Sequence, residues 1–142
     1  MPLAEMYADK RLLDLEFRML REALAVMHKR EMAPMDLPGA PAAQLAKALQ
    51  RYPDWLLRRV LKPRFITGRG NKKPSFYFDV AKPNGKSEVE YLNGQVAAWG
   101  QAVDVETPVN TGLTNILMDI VNGKETADEW RKQVDKLLAL CS

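Results

Sequence analysis

The sequence predicts an all-α domain, a multi-helix bundle, and three observations carry that expectation. Apolar residues recur at steps of three and four along one segment after another, which places them on one face of a helix. Proline and glycine punctuate those segments. The one strand-like run, Phe76-Tyr77-Phe78-Asp79-Val80, would have no partner strand. The 142 residues suit a single domain spanning 1–142. At that length roughly two thirds of the surface of the unfolded chain is buried on folding.

The first long helix is expected from about Lys10 to Lys29. Leu13, Phe17, Leu20, Leu24 and Met27 form its apolar stripe, and Glu16, Arg18, Arg21 and Glu22 take the opposite side. Ala33-Pro34-Met35-Asp36-Leu37-Pro38-Gly39 is rich in breakers and reads as a connection. Pro41 suits the first position of the next helix, which runs through Leu45 and Leu49, because its missing amide costs nothing there. Tyr52-Pro53-Asp54 opens a further helix carrying Trp55, Leu56, Val60 and Leu61, and Pro63 is expected to stop it. Thr67-Gly68-Arg69-Gly70-Asn71 then reads as a flexible loop. Its Gly-x-Gly neither follows a strand nor carries the Lys-Ser/Thr of a P-loop, so it is weak evidence for phosphate binding.

Pro74-Ser75-Phe76-Tyr77-Phe78-Asp79 reads as a short helix, followed by a turn at 82–86. Ser87-Glu88-Val89-Glu90 has the form of a capping box, with Ser87 as the cap and Glu90 reaching back to its amide. Val89, Leu92, Val96, Trp99 and Val103 give the best amphipathic pattern in the chain. Thr107-Pro108-Val109-Asn110 stops and restarts the chain, with Asn110 placed to cap a helix bearing Leu113, Ile116, Leu117 and Ile120. Asn122-Gly123 closes that helix. Thr126-Ala127-Asp128-Glu129 is a second capping box, leading a last helix with Trp130, Val134, Leu137, Leu138 and Cys141.

Composition narrows the function. Apolar residues make up 46% and charged residues 27%, a globular and not a disordered balance. No run approaches the roughly 20 apolar residues that span a bilayer. The stretch from Met1 to Arg11 mixes charges of both signs and lacks the apolar centre of a signal peptide. With Cys141 as the sole cysteine no intrachain disulfide forms, and a reducing cytoplasm is the expected home. One cysteine and one histidine, His28, leave no ligand set for a zinc site, and no metal is expected. His28 lies among Met27, Lys29 and Arg30 on a charged helix, so a Ser–His–Asp arrangement has no basis either.

The net charge of +3 has a local origin. Arg58, Arg59, Lys62, Arg64, Arg69, Lys72 and Lys73 occur with no acid between Asp54 and Asp79. Such a block from 58 to 73 suits an anion or nucleic acid. A solvated face and loop is the commoner origin of such a run and is preferred, so a nucleic-acid partner is not expected.

One segment goes further. Asp79-Val80, a turn, then Lys86-Ser87-Glu88-Val89-Glu90-Tyr91-Leu92-Asn93-Gly94, and later Thr107-Pro108-Val109-Asn110, occur in that order. The series resembles the C-terminal domain of the ketopantoate reductases, clearly from Pro74 to about Val121 and more loosely back to the first helix. The resemblance implies a helical domain of the 6-phosphogluconate dehydrogenase C-terminal type, serving substrate binding and dimerisation behind a Rossmann domain. It implies NADPH-dependent reduction of a small 2-keto acid, ketopantoate to pantoate, on the path to pantothenate. Ser75 corresponds to the serine that binds the substrate carboxylate. Glu88 corresponds to the catalytic glutamate that holds the substrate hydroxyl. By capping alone, Glu88 would simply sit in a first helical turn, favoured by the helix dipole, and Ser75 would satisfy an amide after Pro74.

The chain departs from the family in two ways. It has no Gly-x-Gly-x-x-Gly after a strand, so it carries no cofactor-binding residues and is expected to bind no NADPH alone. Its opening, Met1-Pro2-Leu3-Ala4-Glu5-Met6-Tyr7-Ala8-Asp9, resembles the stretch just after the family's helix that bears the general-acid lysine. The expectation is therefore a fragment or a separately encoded half of such a reductase, inactive alone, with a second copy of itself as partner and, for a separately encoded half, a Rossmann-domain chain. The Leu13–Phe17–Leu20–Leu24 face and the Trp99 end of the Val89 helix are the faces expected to be open for association. The alternatives are a stand-alone interaction or dimerisation module, and an anion or nucleic-acid binder through 58–73.

Overall fold

The computed structural model describes residues 3–69, 92–130 and 133–142. These residues form an all-α protein, in which the one β-type feature among them is an isolated bridge between Leu37 and Ala40. The chain divides into two compact units, Met1–Lys72 and Lys73–Ser142.

The first unit holds α1 (Leu3–Met6), α2 (Lys10–Lys29), α3 (Ala42–Arg51) and α4 (Asp54–Arg69). Asp9 caps α2: its carboxylate accepts the Arg11 amide at 2.9 Å. The Arg11 side chain and then that amide hold the Asp9 carboxyl below its ordinary range. Tyr7, Leu13, Phe17, Leu49, Leu57 and Leu61 make the core, with Leu20, Leu24, Leu45, Phe65 and Ile66 packed against it. Polar ties fix the helices to one another. Arg58 on α4 donates to both oxygens of Asp14 on α2, at 2.6 and 2.8 Å. Arg21 pairs with Asp54 at 2.7 Å and donates to the Leu49 carbonyl at 3.0 Å.

The limits expected for α2 are those found, but its burial is not. Leu13 and Phe17 are fully buried by the unit's own core, so the face expected to stand open for association is closed. Leu15 and Val26, on the side assigned to charged residues, are buried as well. Pro41 stands just before α3 instead of in its first turn.

Pro63 does not stop α4, and Thr67, Gly68 and Arg69 are helical, not loop. A helical proline forfeits one backbone bond and clashes with the preceding turn, about 3 kcal/mol. Packing beyond it offsets that cost. The Phe65 ring lies 6.5 Å from that of Tyr7 and 6.3 Å, edge-on, from that of Phe17. The inward stripe of α4 is Leu57 and Leu61, both buried, and the partly buried Phe65, at steps of four, whereas Trp55 and Val60, expected inside, are exposed.

The second unit holds α5 (Asn93–Ala102), α6 (Pro108–Val121) and α7 (Val134–Leu140). Leu92 precedes α5 as its cap residue and is exposed, so it is not part of the expected apolar stripe. The Gly123 amide bonds the Ile120 carbonyl and the Lys124 amide that of Asp119, with Gly123 at φ 74°, which closes α6 as expected. The Thr126 box also forms: Glu129 accepts the Thr126 amide at 2.6 Å, and the Glu129 amide reaches Thr126 Oγ1 at 3.3 Å. Its helix does not follow directly. Trp130 lies in a turn and α7 begins only at Val134. Glu125 holds that turn to α7 by accepting from the Trp130 indole and pairing with Lys136 at 3.6 Å, while Lys136 lies 3.8 Å over the Trp130 ring.

Candidate functional site at the corner of α5 and α6

Two pieces of the family-like motif, Asn93 and Asn110, are 17 residues apart in sequence and meet in the fold. Asn93 opens α5, and its side-chain amide donates to Asn110 Oδ1 at 2.9 Å. Asn110 is buried, as are Thr107 and Val109 beside it. A buried amide oxygen needs a donor, since an unmet one costs about 1–3 kcal/mol.

The placement of Asn110 follows from Pro108. The ring fixes φ near the helical value, so Pro108 takes the first helical position, with Thr107 as the cap residue. Asn110 is then the third helical residue, not the cap expected from the sequence, and it turns inward. Thr114 Oγ1 donates to the Asn110 carbonyl at 2.7 Å, and the Thr107 and Thr111 hydroxyls stand 3.3 Å apart.

The connection from α5 to α6 is set by close backbone approach. The Val105 amide bonds the Gly100 carbonyl at 2.8 Å, with Asp104 in the left-handed region at φ 58°. A Cβ on Gly100 would lie 2.7 Å from the Val105 oxygen and 2.8 Å from the Thr107 methyl. Gly112 plays the same part between α6 and the end of α7: its Cβ would lie 2.5 Å from the Leu140 oxygen and 2.9 Å from Cys141 Sγ. Neither glycine was singled out in the sequence, where the only signal is a glycine within a helical pattern.

Beside this corner lies an open concavity of about 610 Å³, with Gln101, Asp104, Glu106, Thr111 and Asn115 among its lining residues. All five are exposed, so the concavity offers hydrogen bonds and negative charge but no desolvated acid or base. Among the described residues no group of three or more His, Cys, Asp or Glu could hold a metal. No helix among them is long and apolar enough to cross a membrane. Ser75 and Glu88 lie outside the described residues. Glu88 is five positions before Asn93 in the sequence.

The described residues define the class: an all-α domain with an Asn-Gly…Pro-x-Asn corner between α5 and α6. A family model described as "Ketopantoate reductase PanE/ApbA C terminal" matches residues 1–121, and the chain belongs to that family. Comparison with curated proteins and with solved structures gave no match. The match ends with α6, so α7 and its contact with Gly112 lie beyond it.

Proposed function

We propose that this chain supplies the substrate-binding and self-association half of a ketopantoate reductase-like, NADPH-dependent oxidoreductase. The observation that carries this reading is the family match over 1–121. In this reading Ser75 binds the carboxylate of a small 2-keto acid, and Glu88 holds the oxygen that becomes the hydroxyl. The Asn93–Asn110 bond supports the assignment. It anchors to α6 the end of the motif segment that carries Glu88. Hydride transfer requires nicotinamide and substrate held together. In this reading NADPH comes with a separate cofactor domain, because the sequence carries no Gly-x-Gly-x-x-Gly after a strand, and the chain alone turns nothing over. A homodimer burying roughly 1,200 Å² or more completes the reading. Leu92 and Leu140 of the second unit are exposed apolar residues that a second copy would cover.

The test is calorimetric titration of the chain with ketopantoate, beside Ser75→Ala and Glu88→Gln. Saturable binding weakened about tenfold in each variant, equivalent to about 1.4 kcal/mol, supports the reading. Equal binding by all three proteins rejects the assignment of Ser75 and Glu88. Steady NADPH oxidation by the chain alone would reject its dependence on a separate cofactor domain. Sedimentation at micromolar concentration tests the dimer, and a 16.1 kDa species would refute it.

A further inference from the structure

We infer that the outward face of α4 docks an amphipathic segment of another protein whose apolar side is bordered by carboxylates. A surface helix normally turns polar residues away from its core. Helix α4 does not. Opposite the buried Leu57 and Leu61 and the partly buried Phe65, its helical spacing places Trp55, Arg59, Val60 and Pro63 with the half-buried Leu56, and Tyr52 lies just before its start. Trp55 is 62% exposed, Val60 48% and Tyr52 46%, a grouping of large apolar side chains that folding within the unit does not require. Contiguous exposed apolar surface marks an interaction site more often than chance.

Charge identifies the occupant. From Trp55 to Arg69 the helix has no acid. Asp54 is taken by Arg21, and Arg58 is taken by Asp14. Arg59 sits within the exposed face, with Lys62 and Arg64 at its two edges, and none of these three has an ion-pair partner among the described residues. Among the described residues of α4 from Trp55 onward, the charges beside these apolar side chains are all positive. A second copy fits poorly, because two-fold pairing of this face brings Arg59 and its neighbours against their own equivalents. An unstructured anion such as a nucleic-acid strand would meet the cations but leave Val60 uncovered. A helix with anchors at i, i+3, i+4 and i+7 and flanking Asp or Glu satisfies both the apolar and the charged parts.

The experiment selects binders of the full chain from an unbiased library of displayed helical peptides. Enriched sequences are expected to be amphipathic and rich in Asp and Glu. By fluorescence anisotropy their affinity should fall tenfold or more for Trp55→Ser and for Arg59→Glu. Both positions are exposed, and matched thermal unfolding of each variant shows that the fold is retained. Enrichment of peptides indifferent to both substitutions, or failure to enrich any, overturns the inference. Two further results overturn it. One is tighter binding of a single-stranded oligonucleotide than of the selected peptides. The other is a dimer that Val60→Glu dissociates, which would assign the face to a second copy.

Discussion

The two units are held together in different ways. In the first, large side chains fill the interior, with Tyr7, Leu13, Phe17, Leu49, Leu57 and Leu61 in one cluster and ion pairs tying the helices at its margin. In the second, backbones come close at Gly100 and Gly112, and the buried set includes the polar pair Thr107 and Asn110. Charge divides the same way. Residues 1–72 carry fourteen Lys or Arg against eight Asp or Glu, and residues 73–142 carry seven against ten. Side-chain volume organises the first unit and backbone proximity the second. Among the described residues of the second unit, the family motif contributes the Asn93–Asn110 amide pair at the corner of α5 and α6.

That contrast can be broken most forcefully at Phe17. Phe17→Ala should cost about 3–5 kcal/mol in urea unfolding, because the Leu13, Leu61 and Phe65 surroundings collapse only partly into the space left. A loss below about 1 kcal/mol would mean that volume does not hold this unit. The corresponding break in the second unit adds atoms instead of removing them. Gly112→Ala should cost about 1–3 kcal/mol, since the new methyl meets backbone oxygen and not a flexible side-chain end. A neutral outcome by the same measurement would show that α7 shifts freely away from α6.

A smaller effect sharpens the motif itself. Asn93→Ala removes the donor to Asn110 Oδ1 and should cost about 1–2 kcal/mol. Equal stability of Asn93→Ala and the parent would show that the corner does not depend on this bond. The smallest effect concerns Glu129, whose carboxyl the Thr126 amide and then the Thr126 hydroxyl hold below its ordinary range. With the folded value depressed, the box contributes above the ordinary glutamate range and fades as pH falls through the lowered value. Removing the hydroxyl in Thr126→Val should move the Glu129 titration, followed by NMR, back toward its ordinary position. An unmoved titration would show that the amide alone sets it.

How much of this was legible in the sequence depended on whether a local rule met competition. The limits of α2, the Gly123 stop and the Thr126–Glu129 box follow from short-range chemistry and were readable. Pro63 was not, because its effect is local while Phe65, two residues on, packs on Tyr7 and Phe17 far away in sequence. The α4 stripe was ambiguous for another reason. Apolar residues occupy both faces of that helix, so periodicity identifies a helix without saying which side is buried. At the candidate site the order of Asn93 and Asn110 was readable and the family followed from it. Their direct bond was not, since Asn110 as a cap and Asn110 as a buried acceptor require the same residue type.

The central claim is that the motif segment forms one wall of a 2-keto acid site, held to α6 by Asn93 and Asn110. A crystal structure of the chain grown with ketopantoate tests it most directly. The account predicts Ser75 and Glu88 in a single concavity beside the Asn93–Asn110 bond, with the ligand carboxylate at the serine and its keto oxygen at the glutamate. Ser75 and Glu88 on opposite faces of the second unit would contradict it.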